Sequence, residues 1–584
     1  MIETPPIKSA ALAAWGQSPG PACLALALLC LALYLPGLFA LPAIDRDEAR
    51  YAQASRQMVR SGDYVRIHFQ EKTRYKKPVG IYWLQSLAVH LTGRPDSIWP
   101  YRLPSLLGAL AAVLLLYLWG RRLCGGPAAF WAAALLAGSL LLVFVAHQAT
   151  TDAALLAAIV AGQGALGFLY LRESRGEPPL AWPAAVFWAA QGAAALIKGP
   201  MGPFVSLATL AGLWLADGRP LRREALRPLP GLGLALVIAA PWFIAVTLAN
   251  QGAFWKEALG VDLLPKLAGG QESHGAPPLY YLVVVALAFW PGNLVLFPAL
   301  VRAWRERMDP VNRFLLAWAG PTWLLLELAP TKLPHYILPV FPALALLAAR
   351  ALWAGRPGEA EGPRGKKVWL GRLPWVLAPV ALALGGVGLP LLLDRELSPM
   401  SLLPLAGALG LLAFAWLRAG KGAGLPLLAA SLLASLFMFG GLFQGVLPNL
   451  KGLWLSQRAH EMVREQRGPA WRQGPPVPTV GYHEPSLVFH LGVETPLVSA
   501  REGARLLAAG KSDLALVTAD KLTAFTGFMA EKGLGVRPLT KARAQHYTKG
   551  KWFTLYLLEP CPLFLEEARR KNEGPVAQTG GAGS

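Results

Sequence analysis

Thirteen apolar runs of near bilayer-spanning length, separated by loops that alternate between basic and charge-poor, constrain this chain more than any other feature. The runs are 22–42, 101–119, 127–147, 153–171, 181–197, 201–216, 231–249, 279–299, 313–328, 334–352, 373–393, 402–418 and 425–447. A hydrocarbon core of about 30 Å takes about 20 apolar residues of helix. Inside it only a helix or a closed barrel satisfies every backbone group, and these runs are too long and too uniformly apolar for barrel strands. The chain has 584 residues, 54% hydrophobic and 15% charged, with mean hydropathy +0.41. The expected fold class is therefore a polytopic α-helical membrane protein of about 13 transmembrane helices. No small-residue cleavage pattern follows the first run, which reads as a retained helix rather than a signal peptide.

The net charge of +21 would suggest nucleic acid in a soluble protein; in a membrane protein it reflects cytoplasmic loops and anionic lipid. With the N-terminus inside, every inside loop is basic: Arg121–Arg122, Arg172 and Arg175, Arg219 to Arg227, Arg302 to Arg313, Arg350 to Arg372, and Arg418 with Lys421. The alternate loops near 148–152, 329–333 and 394–401 carry few cations. The four cysteines, Cys23, Cys30, Cys124 and Cys561, form no CxxC pair and suggest neither a disulfide framework nor a metal site.

The domains expected are a transmembrane part over 1–449, a small C-terminal periplasmic α/β domain over 450–570 and a disordered tail over 571–584. In the second of these, "VPTVGYHEPSLVFHLG" reads as strand, turn and helix, and "SDLALVTADKL" and "HYTKGKWFTLYLLEP" read as strands. Two outside loops break the charge rule. Loop 43–100 holds nine basic residues from Arg46 to Lys77 and reads partly as interfacial helix, with "YWLQSLAVHL" a second apolar piece; loop 250–278 is the other. Long loops cross regardless of charge. An anionic lipid phosphate on the outer face would also account for the cations.

Ionisable groups at a membrane boundary are functional candidates, and nearly all of them here fall on the outer side. In "LPAIDRDEARYA", Asp45, Asp47 and Glu48 stand among Arg46 and Arg50. A helix start explains the acids, with Asp45 capping and Glu48 reaching back. Beyond them come Lys76 and Lys77 before Pro78, Asp152 in "HQATTDAALL", Lys198 in "LIKGPMG", Lys332, His335 and Tyr336 in "PTKLPHYILPVFP", and Asp262, Lys266 and His274 in the second loop. Each has a plainer role: Asp152 as a cap, Lys198 snorkelling, His335 in packing, Tyr336 in an aromatic belt. Four outer loops that each bring a charged or hydrogen-bonding group favour a site with carboxylates for acid–base work and amines for phosphate. No histidine pair stands at metal-ligand spacing.

The acidic "DRDEARYA" after the first helix, "KP…YW" some thirty residues on, "TTDA" opening a later helix, "KGP" and "TKLPHYILP" occur here in an order that resembles the integral-membrane GT-C glycosyltransferases. The similar branch contains the aminoarabinose lipid A transferases and, more distantly, the protein O-mannosyltransferases. The resemblance covers nearly the whole chain. It implies a polyprenyl-phosphate sugar as donor, an essential acid at Asp45, and phosphate contacts from Lys77, from Arg46 or Arg50, and from Tyr336. Asp152 matches the acid opening the later helix. The aminoarabinose enzymes carry Glu-Lys-Pro, with a glutamate that helps hold a metal ion; Lys76 stands there in this chain. That departure counts against a metal ion and against aminoarabinose as the sugar.

The expectation is an inner-membrane glycosyltransferase that works on the periplasmic face with an undecaprenyl (polyprenyl) phosphate donor. Its acceptor is lipid A or another envelope glycolipid, and no cofactor is expected. Asp45, Asp152 and Glu48 are the catalytic candidates; Arg46, Arg50, Lys77, Tyr336, Lys198 and Lys266 the donor-phosphate candidates; Asp47, Lys76, Lys332 and His335 the acceptor or sugar candidates. A protein hydroxyl is the alternative acceptor. A transporter or flippase for an anionic lipid is the rival of another class, but it would carry its charges at mid-depth on paired broken helices.

Overall fold

A computed structural model describes residues 18–263, 276–353, 366–418, 424–547 and 550–563. Contacts divide the chain into two compact units. One holds the residues up to Leu41, Ala54–Leu389 and Leu397–Pro448; the other holds Pro42–Gln53, Pro390–Glu396 and the residues from Asn449 on.

Among the described residues the first unit is almost entirely helical. Seven of the described helices are long and apolar enough to cross a membrane, and the pair Gly126–Ala137 and Leu140–Ala146, bent by 60° at its break, would make an eighth. Each of the thirteen apolar runs coincides with a helix or a broken helix, but several are short, such as Pro19–Tyr34, or interrupted, such as Tyr280–Ala288 before Asn293–Arg305. Length and composition therefore support a multi-pass membrane protein with fewer unbroken spans than thirteen. In Arg223–Ala249 only 17% of the most apolar window is buried inside the protein, against 78% in Asp152–Ser174. The first is suited to face lipid with Leu229, Val237 and Leu248 and the second to form the core.

Two glycines set close approaches that matter for the site. A Cβ on Gly108 would lie 2.7 Å from Cα of Ala154, and one on Gly80 would lie 2.7 Å from the carbonyl oxygen of Leu196. Only glycine lets the backbones meet this closely. The helix Trp99–Cys124 thus packs tightly on Asp152–Ser174, and Gly80–Thr92 on the end of Ala181–Lys198. The apolar piece read as interfacial is this Gly80–Thr92 helix. It buries Ile81, Tyr82 and Val89 and exposes Trp83, Leu87 and Leu91, the amphipathic pattern of a helix at an interface. A short hairpin of β1 (His68–Phe69) and β2 (Lys72–Thr73) precedes it.

In the second unit, β3 (Thr479–Val480), β4 (Leu497–Val498), β5 (Ala515–Thr518), β6 (Leu534–His546) and β7 (Lys551–Pro562) form one sheet in the order β4-β3-β5-β7-β6. Strand β3 runs parallel to β4 and β5; β7 runs antiparallel to β5 and β6. Side chains alternate across the sheet, as a period of two requires. Leu514 and Leu516 join Leu455, Ala459 and Val463 of the Leu455–Arg467 helix on one face; Ala515 and Val517 join Leu507, Phe525 and Met529 on the other. Helices therefore cover both faces. The carboxylate of Asp394 accepts the backbone N–H groups of Lys451 and Gly452 at 2.8 and 2.6 Å, which ties Pro390–Glu396 into this unit.

Candidate active site

In the first unit three of the four loops singled out in the sequence meet. Asp152 is the first residue of the helix Asp152–Ser174, and Thr151 at its N-cap makes no side-chain capping bond. The Asp152 carboxylate faces Lys198, whose Nζ lies 2.5 Å from Oδ1, and Nε2 of His335 lies 4.0 Å from the same oxygen. The Lys198 ammonium sits 5.3 Å from the centre of the Tyr336 ring, within cation–π range. With Leu155 and Met201 these four side chains line a small cleft. The loop before Asp152 is held from behind: Gln85 Nε2 donates to the carbonyl of Ala149 at 3.2 Å, and Ser105 Oγ to that of Thr150 at 3.2 Å. Pro78, next to Lys77, lies 4.0 Å from where a Cβ on Gly199 would stand. The Lys-Pro segment therefore abuts the end of the Lys198 helix.

In the second unit Asp45 is surrounded by residues from the C-terminal part of the chain. Its Oδ1 accepts the N–H of Ser486 at 3.2 Å, and its own N–H donates to the Tyr547 hydroxyl at 2.5 Å. Beside it, Nε2 of His546 lies 2.7 Å from Oε1 of Glu484, and Nε of Arg46 lies 3.9 Å from Oε2. Burial is the main cause that pushes the Asp45 carboxyl up, to about 6; hydrogen bonding from Ser486 works against it, the Glu484 charge adds to it, and His546 opposes it.

The structure gives the Asp45 carboxylate a partner beyond its own turn: it takes an N–H from the first turn of the Pro485–Leu491 helix. Glu48 does reach back, its Oε2 accepting the N–H of Ile44 at 2.8 Å, and it is buried at 2% exposure, so its carboxylate serves the turn. Asp47 is exposed and forms an i,i+3 pair with Arg50 at 3.5 Å. Lys76 and Lys77 are half-buried. Lys332 stands apart from the Asp152 cluster: its Nζ lies 3.1 Å from Glu327 and 3.3 Å from the carbonyls of Ala276 and Pro277. Glu327 in turn accepts the N–H groups of Tyr280 and Tyr281. Lys332 thus anchors a helix start. Lys266 and His274 lie outside the described residues.

Glu484, Ser486, His546 and Tyr547 were not singled out by sequence reasoning. "HEPS" and "QHYT" sit in stretches whose apolar patterning reads as ordinary sheet and helix. A buried acid and a buried histidine, at 5% and 4% exposure, are signals visible only in three dimensions. The metal ion that the resemblance implies finds no fit. Lys76 offers a cation where a ligand is needed, and among the described residues no three His, Cys, Asp or Glu side chains are placed so that they could hold a metal ion together.

Residues 76–244 match the family described as dolichyl-phosphate-mannose-protein mannosyltransferase. Two curated relatives carry the name undecaprenyl phosphate-alpha-4-amino-4-deoxy-L-arabinose arabinosyl transferase. The one from Pseudomonas paraeruginosa is 32% identical over 52% of this chain and 55% of its own length. The one from Aeromonas hydrophila is 31% identical over 62% and 65%. The match therefore spans less than two thirds of either relative. The crystal structure of ArnT from Cupriavidus metallidurans bound to undecaprenyl phosphate superposes with a TM-score of 0.71, covering 91% of this chain and 97% of that one at 20% identity. With that fold along nearly its whole length and that sequence similarity over 52% to 62% of it, the chain is a multi-pass membrane protein that shares the fold of ArnT and resembles the aminoarabinose arabinosyl transferases.

Proposed function

We propose that this protein is a glycosyltransferase that moves a sugar from undecaprenyl phosphate to lipid A or another envelope glycolipid. It would act from the periplasmic face of the bacterial inner membrane. The observation that carries the reading is the 31–32% identity to two arabinosyl transferases in a chain whose boundary charges suit the chemistry. An acceptor oxygen attacks C1 of the sugar, the C1–O bond to the donor phosphate breaks, and its electron pair leaves on polyprenyl phosphate. The negative charge that grows there calls for fixed cations. Lys77 and Lys198 are assigned that role, with Tyr336 beside Lys198 and Asp152 holding Lys198 in place. Asp45 is assigned to the acceptor, which it orients or relieves of a proton. A carboxyl pushed up to about 6 is about nine-tenths ionised at neutral pH, yet basic enough to take a proton.

The alternating basic loops support a cytoplasmic N-terminus, thirteen crossings that include the short and broken helices, and a periplasmic sheet-bearing unit. One observation favours a second acceptor: the matched family over 76–244 is named for transfer to protein.

The test is transfer by the purified full-length protein in detergent. A set of undecaprenyl phosphate-linked sugars, aminoarabinose and hexoses among them, is offered with lipid A in one arm and with Ser/Thr peptides in another, and products are read by mass spectrometry. A sugar adduct on lipid A is expected. Adducts on peptide alone would move the reading to the second acceptor, and a folded protein that transfers to neither would end it.

A further inference from the structure

The second unit holds a buried pair of an acid and a histidine, with Oε1 of Glu484 2.7 Å from Nε2 of His546. Glu484 and His546 are 5% and 4% exposed and come from distant parts of the sequence, one before the Pro485–Leu491 helix and one at the end of β6. A buried pair is weak evidence of stabilisation, since apolar residues of similar volume commonly serve as well. Two features link this pair to the segment after the first apolar helix. Oε1 of Glu484 meets His546 while Oε2 faces Arg46 at 3.9 Å. Arg46 itself has φ +56°, a left-handed conformation that a residue with a Cβ adopts at some cost and keeps only where its surroundings hold it. The next residue N-terminal is Asp45, clamped by Ser486 and Tyr547.

We propose that Glu484 and His546 are positioning residues: they hold the Arg46 turn and set the charge environment in which Asp45 works. This rests on the reading that Asp45 serves transfer. The groups that face Asp45 are Glu484 and His546, the Tyr482 and Tyr547 rings, and the Ser486 N–H. Glu48, from the same segment, spends a carboxylate oxygen on Ile44. Of the charged groups, Glu484 acts on Asp45 more strongly than His546 does, and in the opposite sense. Removing each should therefore move Asp45 in opposite directions, a signature that loosened packing does not produce.

The experiment uses the full-length protein in detergent and two readouts. One is the pH profile of sugar transfer. The other is the pH dependence of carbodiimide labelling of Asp45, read by peptide mass spectrometry; the reagent attacks protonated carboxyls and needs no turnover. Glu484→Gln keeps the shape and a hydrogen-bond acceptor for His546. It should lower both midpoints by roughly 0.5 to 1 pH unit, whereas His546→Gln should raise them and Glu484→Asp should leave them near wild type. Midpoints that stay put in folded Glu484→Gln and His546→Gln, or move the same way in both, would overturn the proposal. If labelling moves as expected in a protein that transfers no sugar, the positioning stands and the transferase reading fails.

Discussion

The carboxylate of Asp45 accepts the backbone N–H of Ser486 at 3.2 Å across 441 residues of sequence. The acid that opens the first long loop is thereby fixed by the sheet-bearing part of the chain, and burial there is the main cause of its raised titration, with Ser486, Glu484 and His546 modulating it.

Replacing Asp45 separates charge from shape. Asn can accept the Ser486 N–H as Asp does but carries no charge and takes no proton. Asp45→Asn should fold and lose about 10²- to 10⁴-fold in transfer rate. Asp47→Asn, at an exposed i,i+3 pair, should change stability by about 0.5 kcal/mol or less and keep most activity. A folded Asp45→Asn protein with near-normal turnover would remove the acid from the reaction.

The same substitution has a pH signature in stability. A carboxyl whose folded value, about 6, lies above its unfolded one favours the fold while it is protonated. That contribution is complete below the ordinary carboxylate range and is lost as pH rises through about 6. Asn mimics the protonated form at every pH. The melting temperature of Asp45→Asn relative to wild type should therefore rise between about pH 4 and about pH 8. A flat difference in a detergent thermal-shift series would show that Asp45 titrates as an ordinary surface acid.

Asp152 and Lys198 form a pair with side chains 11% and 10% exposed. Removing one leaves the other buried and uncompensated, at a cost of about 3 to 5 kcal/mol. Asp152→Ala and Lys198→Ala should each lower thermal stability markedly, and the double variant should lose less than the sum, by about 0.5 to 3 kcal/mol. Strict additivity would mean that the two groups act independently.

Lys77 is assigned to the donor phosphate. Lys77→Ala should weaken transfer by about 2 to 4 kcal/mol of transition-state stabilisation, and Lys77→Arg should restore little, because a planar fork and a point charge differ in geometry. Wild-type turnover by Lys77→Ala at saturating donor would exclude the assignment.

Orientation is open to a reporter. Alkaline phosphatase fused after residue 563 should be active if the sheet-bearing unit is periplasmic. A stable but inactive fusion would place that unit inside and require an even number of crossings.

The sequence by itself determined that most of this chain is apolar helix, because a run of about 20 apolar residues has one stable outcome in hydrocarbon. It also named the charged residues at the boundary, since such groups are rare enough there to stand out. Boundaries were harder. Glycine and proline break several runs into bent or short pieces, as between Ala137 and Leu140, and periodicity does not report a break. Strand β6 escaped notice because Pro538 and the cations Arg537, Lys541 and Arg543 argue against a strand. They are tolerated because β6 is the sheet edge, with a register shift between Pro538 and Thr540. Only the tertiary structure decided which charge meets which. Asp152 with Lys198 and His335, and Asp45 with Ser486, Tyr547 and the Glu484–His546 pair, are contacts between residues far apart in sequence. Local propensity and hydropathy act over a few residues and carry no record of such partners, which are selected when the helices and the sheet pack.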